Sequence, residues 1–290
     1  MPTLAVTIAE VREQIALAKD DARLRGVTNP TVALVPTMGA LHDGHLALVT
    51  RAREVGDIVV VSIFVNPLQF GEGEDLETYP RTLDADLAAL DRTGPTIVFA
   101  PTAAEMYPEG RTQTKISAGH VGTLLEGRSR AGHFDGVLIV VNKLLNIVQP
   151  TSVLFGQKDG QQVFVVSRMV RDLNIPVTVE VVDTVRETDG LALSSRNTYL
   201  DERERVAARV LSAVLEAAES AAVSGIDSLI AAAQAASMGQ PLVTLEYLSV
   251  VNPATFLPVD DNFHGRAQVL VAARVGTTRL IDNEFVYLGG

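Results

Sequence analysis

The sequence predicts an α/β protein: a parallel sheet with helices on both faces, followed by a smaller α+β C-terminal domain. Two observations carry the first part. Short apolar runs alternate with helix-length segments from Thr31 to Val182, the pattern of strand-helix-strand units. Several of these runs are continuously apolar, as in strands covered on both faces. The second domain follows from a change of pattern after Asp183, and from a length of 290 residues that exceeds the usual single domain. The boundary is placed near Thr184, giving domains 1–184 and 185–290.

In chain order, Thr31 to Val35 is a buried strand stopped by Pro36, and Leu46, Leu48, Val49 and Ala52 return at helical spacing. Ile58 to Val65 is a second apolar strand, running into Asn66-Pro67-Leu68-Gln69-Phe70 and an acidic, glycine-containing loop that ends at Pro80. Thr82 to Arg92 reads as helix and Thr96 to Ala100 as strand. The length of the apolar segment Asp135 to Val148 favours helix despite its β-branched residues. Ser152 to Phe155 is strand, Asp159 to Leu173 helix and Val177 to Val182 strand. Thr184 to Asn197 is polar and irregular. Two alanine-rich helices, Asp201 to Ala222 and Asp227 to Met238, precede three β-like runs at Thr244–Val251, Ala267–Val275 and Arg279–Val286.

Composition narrows the function. A net charge of -11 argues against broad nucleic-acid binding, so an anionic ligand must be met by a local cluster of positive groups. The absence of cysteine excludes disulfides, cysteine-zinc sites and thiol catalysis, and fits a reducing cytoplasm. Residues 1–25 carry charges scattered at helical spacing without an apolar core, so no secretory signal is expected. No apolar run approaches the roughly 20 residues of a membrane span.

The chemistry concentrates where the first strand gives way to helix, in Pro36-Thr37-Met38-Gly39-Ala40-Leu41-His42-Asp43-Gly44-His45. His42 and His45 are three residues apart and share a face if the helix has begun. The unpaired backbone amides and dipole of a helix start favour an anion there. Such a histidine pair also occurs as a structural or surface feature, and its spacing permits a metal, although Asp43 suits a helix cap better than a ligand set. Gln69 follows the second strand. Gly156-Gln157-Lys158-Asp159-Gly160-Gln161-Gln162 follows the Ser152 strand and gives Lys158 a helix-start position, apt for a transferring phosphate or simply solvated. Ser194, Ser195 and Arg196 stand at the domain joint and suit either a pyrophosphate clamp or a helix cap. Glu126 to His133 is a basic loop, read as a mobile lid or a connector. The glycine-flanked nucleophile elbow, the Walker pattern and the dinucleotide glycine fingerprint are missing, which leaves electrostatic catalysis on a phosphate ester.

Taken together and in order, five motifs closely resemble the pantothenate synthetases. They are the Pro36–His45 segment, Ile63-Phe64-Val65-Asn66-Pro67-x-Gln69-Phe70, Tyr79-Pro80-Arg81-Thr82, Phe155-Gly156-x-Lys158-Asp159-x-Gln161-Gln162 and Ser194-Ser195-Arg196-Asn197. His-x-Gly-His alone marks only the wider nucleotidyltransferase superfamily. The resemblance implies a Rossmann-like ATP-binding domain, a lid-like C-terminal domain and a homodimer. It implies ligation of pantoate to β-alanine with ATP and magnesium through a pantoyl adenylate, releasing AMP and pyrophosphate.

Carried over by position, His42, His45, Lys158, Ser194, Ser195 and Arg196 would stabilise the phosphates. Pro36, Met38, Gly39, Gly156, Asp159, Val185 and Leu193 would complete the ATP site, with Asp159 on the ribose. Gln69 and Gln162, assisted by the Met38 amide, would hold pantoate. Asp86 matches an acidic position near magnesium. The chain departs from the usual pattern at Gly160, where an aromatic is common, and at Gln157, where glutamate is common. An adenylyltransferase for another acceptor, or an inactive nucleotide-binding module, would share part of this pattern.

Overall fold

The computed structural model describes residues 1–71, 73–110 and 112–289. By internal contacts the chain divides into two units: Met1–Gly156 with Val165–Val182, and Gln157–Phe164 with Asp183–Gly290. A single cut at Thr184 would leave Gln157–Phe164 with the first unit. The contacts assign that segment to the second.

The first unit is a six-stranded sheet formed by β1 (Thr3–Ala5), β2 (Val32–Thr37), β3 (Ile58–Ile63), β4 (Ile97–Phe99), β5 (Ser152–Gly156) and β6 (Thr178–Val182). All neighbours pair in parallel, in the order β1-β4-β3-β2-β5-β6. β2 is in register with β3 from Val32↔Ile58 to Thr37↔Ile63. Ala33 and Val35 pack with Leu48, Val49 and Ala52 of the helix Asp43–Val55. Val32 and Leu34 alternate to the opposite face and are buried as well. A strand covered on both sides therefore reads as one apolar run, and each fully buried valine or leucine contributes roughly 1.5–3 kcal/mol.

The order reverses at β2: β3 and β4 lie to one side, β5 and β6 to the other. Such a switch point gathers ligands outside the carboxyl ends of the strands. The sequence reading ends the first strand at Val35, but β2 runs through Pro36 to Thr37. β1, at the sheet edge against β4, was not anticipated, because three residues carry no usable periodicity. The apolar segment before β5 is a helix from His133 to Val148, as its length indicated.

In the second unit, β7 (Val243–Val251), β8 (Gly265–Val275) and β9 (Thr278–Leu288) form an antiparallel sheet in that order. Alternate residues of β8, Ala267, Val269, Val271 and Ala273, pack against the helices Val210–Ala221 and Ile226–Ser237. The first alanine-rich segment is not one helix. It is capped at Asp201, breaks at Arg209 and restarts at Val210.

Candidate active site

The histidine pair stands at the carboxyl end of β2, where His42 is the N-cap of the helix Asp43–Val55. Its Nδ1 accepts the Gly44 N–H at 3.2 Å, and His45 Nδ1 accepts the His42 N–H at 3.3 Å. This is a capping box in which two imidazoles replace the usual hydroxyl and carboxylate. The reciprocal bonds hold the rings 4.1 Å apart between centroids. The tautomer follows from the hydrogen-bond pattern: an Nδ1 that accepts a backbone N–H carries no proton, so Nε2 is the N–H end of each ring. Both rings therefore present a donor of the kind a phosphate oxygen accepts.

The loop before the helix is fixed by buried groups. Thr37 Oγ1 donates to the Ser62 carbonyl at 2.8 Å and accepts the Gly39 N–H at 3.2 Å. Gly39 has φ +85°, and a Cβ there would lie 3.1 Å from both Asp86 Oδ2 and Ile63 Cγ2, so glycine meets a conformational and a packing demand at once. Ala40 follows at φ +50°, a left-handed conformation that costs an alanine about 1 kcal/mol. Asp86, 2% exposed, holds it in place. Its carboxylate accepts the Ala40 N–H at 3.1 Å, the Leu41 N–H at 2.8 Å and the Thr82 hydroxyl at 3.3 Å.

One expectation changes here. The helix start does not offer a row of unpaired amides, because Gly39, Ala40, Leu41, His42 and Gly44 all donate within the protein. The two imidazoles stand beside these engaged amides at the end of β2. Asp86, which the resemblance places near magnesium, has both oxygens engaged by the loop, a geometry that suits an anchor. Among the described residues no cluster of three or more His, Asp or Glu is arranged to hold a metal ion.

Gln69 closes a short 3-10 turn, Pro67–Gln69, after β3. β2 and β3 run side by side, and the Phe64 N–H bonds the Thr37 carbonyl at 3.0 Å, which brings Gln69 to the same edge as the histidines. Its Oε1 accepts Asn66 Nδ2 at 3.0 Å. Fully buried Asn66 accepts the Tyr107 hydroxyl at 2.8 Å and donates to the Gly136 carbonyl at 3.1 Å. Burial pushes the Tyr107 phenol up, so it stays a donor. The chain of bonds fixes Gln69 with its oxygen inward, so its NH2 end is the one directed elsewhere.

The Gln69 main-chain carbonyl is held too, by His133 Nδ1 at 2.8 Å and Arg130 Nη2 at 3.2 Å. Arg130 pairs with Glu74 at 2.6 Å. Thus the basic loop expected to be mobile ends in a half-buried ion pair and a short helix, Glu126–Ser129. Burial, reinforced by the Arg130 charge, lowers His133 to about 4.

In the second unit, Lys158 and Asp159 lie in a 3-10 turn, Gln157–Asp159, immediately before the helix Gly160–Asp172. Lys158 Nζ is 3.7 Å from Asp159 Oδ1, and Gln162 is half-buried in the first turn of the helix. Val185 and Leu193 face each other in a short hairpin, where the Leu193 N–H bonds the Val185 carbonyl at 2.9 Å and Arg186 bridges Ala192. Arg186 ties this hairpin to Asp282 of β9, at 2.5 Å. The next residue, Asn283, donates to the Gln157 and Lys158 carbonyls at 2.9 and 2.8 Å. Two adjacent residues of β9 therefore hold both the hairpin and the lysine turn. Ser194 caps the 3-10 helix Ser195–Tyr199 by accepting the Arg196 N–H at 3.3 Å.

The first unit thus gathers Pro36, Met38, Gly39, His42, His45, Gln69 and Gly156 at the ends of β2, β3 and β5. The second assembles Lys158, Asp159, Val185, Leu193, Ser194, Ser195 and Arg196 around β9. Sequence reading missed the supports: Asn66, Tyr107, His133, Gln268, Asp282 and Asn283. A signal existed for the last two, since consecutive polar residues interrupt an otherwise apolar strand.

A doubly wound parallel sheet with an imidazole-capped helix at its switch point defines the α/β nucleotide-handling class. The sequence profile of the Pantoate-beta-alanine ligase family matches residues 3–285. The chain is 57% identical to the pantothenate synthetase of Leifsonia xyli subsp. xyli, over 97% of this chain and 99% of that protein. It is 53% identical to that of Nocardia farcinica, over 92% and 82%. The crystal structure of pantothenate synthetase from Thermus thermophilus superimposes with a TM-score of 0.88 at 46% identity, covering 97% and 98% of the two chains. A Francisella tularensis pantoate-beta-alanine ligase, crystallised with β-γ ATP and β-alanine, gives 0.77 at 31% identity, covering 98% and 97%. The chain belongs to the pantoate-beta-alanine ligase family.

Proposed function

We propose that this protein joins pantoate to β-alanine at the expense of ATP, releasing AMP and pyrophosphate. Family membership over nearly the whole chain supports the reaction, and the mutually capped histidine pair at the end of β2 is the observation that carries the chemistry. A pantoate carboxylate oxygen attacks the α-phosphorus, and the bond to the β-phosphate oxygen breaks. The amine of β-alanine then attacks the acyl carbon of the pantoyl adenylate and expels AMP.

The chain's part is positioning and charge stabilisation. His42 and His45 donate through Nε2 to phosphate oxygens. Lys158, Ser194, Ser195 and Arg196 stabilise the charge on the departing pyrophosphate. Gln69 offers its NH2 end to pantoate oxygens, with Gln162 and the Met38 amide as further partners. Pro36, Gly39, Gly156, Asp159, Val185 and Leu193 contact the nucleotide. Asp86 anchors the histidine loop. Magnesium would come as the counter-ion of ATP and would screen the charge of its phosphates. A homodimer and a cytoplasmic location belong to the same reading; the structure adds that no helix among the described residues is long and apolar enough to cross a membrane.

The test is pyrophosphate release from purified protein with ATP, magnesium and pantoate, with and without β-alanine, while AMP and pantothenate are followed. Sustained release requiring both substrates and matched by free AMP supports the ligase. AMP retained in a stable product would replace it with an adenylyltransferase, and ATP binding without pyrophosphate release would replace it with an inactive nucleotide-binding module.

A further inference from the structure

The lysine turn is held by groups that the reaction itself does not call on. Asn283 Oδ1 accepts Gln268 Nε2 at 2.7 Å and Gln157 Nε2 at 3.1 Å. Its Nδ2 donates to the Gln157 and Lys158 carbonyls. All four hydrogen-bonding positions of the amide are thereby filled. Asn283 is 2% exposed and Gln268 3%. In the β8–β9 register Gln268 opposes Phe285 and Leu270 opposes Asn283, so the two amides are diagonal neighbours on one face. Buried amides on a strand are costly unless every bond is made, and here the turn makes them.

The chain's departures from the family pattern fit this arrangement. A Cβ on Gly160 would run into Gln268 Nε2, so glycine leaves room for the amide above it. At position 157 the amide supplies a donor to Asn283 Oδ1; a glutamate there would set a carboxylate oxygen against the same acceptor. Gln157, Gly160, Gln268 and Asn283 form one interlocked set.

We propose that Asn283 and Gln268 are positioning residues for Lys158: by holding the carbonyls of Gln157 and Lys158, they fix the direction in which the ammonium is delivered. The proposal rests on Lys158 meeting the phosphates of ATP. Asn283→Asp keeps the shape and removes the donors to both carbonyls. We expect kcat to fall at least about tenfold and KM for ATP to rise, with KM for β-alanine unchanged and the midpoint of thermal unfolding shifted by only a few degrees. In a Lys158→Ala background the same substitution should slow the enzyme less than about twofold, because an ammonium that is absent cannot be misdirected.

Equal effects of Asn283→Asp in the two backgrounds would reduce Asn283 to a structural role and overturn the proposal. Gly160→Ala serves if Asn283→Asp does not fold. It should displace Gln268 and lower kcat; unchanged kinetics in Gly160→Ala would overturn the proposal. Full turnover in Lys158→Ala would overturn the lysine reading and this proposal together. Full turnover in Asn283→Asp beside an inactive Lys158→Ala would overturn the positioning alone.

Discussion

The histidine loop of the first unit and the lysine turn of the second present the groups assigned to phosphate, yet they are held in opposite ways. His42 and His45 cap each other's backbone across three residues, and the nearest distant support, Asp86, reaches the loop through two amides. The Lys158 turn is held by Asn283, more than a hundred positions along the chain. One loop carries its geometry in its own residues, and the other borrows it from a sheet. The first should tolerate changes elsewhere and fail when its own residues change, whereas the second should fail from a distance.

The largest expected effect is common to both. Removing one charge-stabilising donor costs typically about 3 to 4 kcal/mol of transition-state stabilisation. His42→Ala and Lys158→Ala are each expected to lower kcat by roughly two to three orders of magnitude, while the far-ultraviolet circular dichroism stays native. Unchanged pyrophosphate release in either would remove that residue from the phosphate site.

A second difference is in pH response. His133, beneath the Gln69 carbonyl, is held at about 4, against 6.5 for an unperturbed histidine. Burial and Arg130 disfavour its charge, while the Gln69 carbonyl, Glu74 and Glu126 favour it. Because the folded value is depressed, the unfolded chain binds more protons between these two pH values. Stability is full above about 6.5 and is lost as pH falls toward about 4, by up to about 3 kcal/mol. Urea unfolding across this range should show the slope, and His133→Gln should flatten it; an identical slope in the variant would mean other groups carry it.

Asp86 sharpens the contrast, because its carboxylate is a distant side chain on which the otherwise local loop leans. Asp86→Ala leaves two half-buried amides, one of them on the strained Ala40, without an acceptor, and we expect a loss of about 2 kcal/mol in unfolding free energy together with slower turnover. The magnesium concentration for half-maximal activity should not change. A large rise in that concentration would make Asp86 a metal ligand after all.

The same division explains what the sequence disclosed. β2, β3 and the helix after them were legible because strands buried on both faces leave continuous apolar runs, and a strand-glycine-helix junction has few layouts. The His42–His45 pair was legible for the same reason, since residues three apart on a helix start are neighbours. The amide set around Lys158 was not. Nothing near Gln157 announces Asn283, and Gln268 reads as an isolated polar residue until β8 and β9 are paired in register. Gly160 and Gln157 read in the sequence only as departures from the usual pattern, and the pairing shows each matched to a buried amide.

The smallest effect asks whether the local loop is as self-contained as its hydrogen bonds indicate. His42 does two things at once: Nδ1 caps the Gly44 amide, and Nε2 is the donor end of the ring. Asparagine is among the best N-cap residues and can accept the same amide, but its short side chain does not reach where the imidazole Nε2 stands. His42→Asn should therefore be as slow as His42→Ala while remaining more stable than it by about 1 kcal/mol, the usual worth of a cap. Chemical denaturation of the two variants beside their turnover measures both quantities. Equal stabilities would show that the helix start is held by Asp86 and Thr37 rather than by the histidines, and the loop would then depend on distant residues as the lysine turn does.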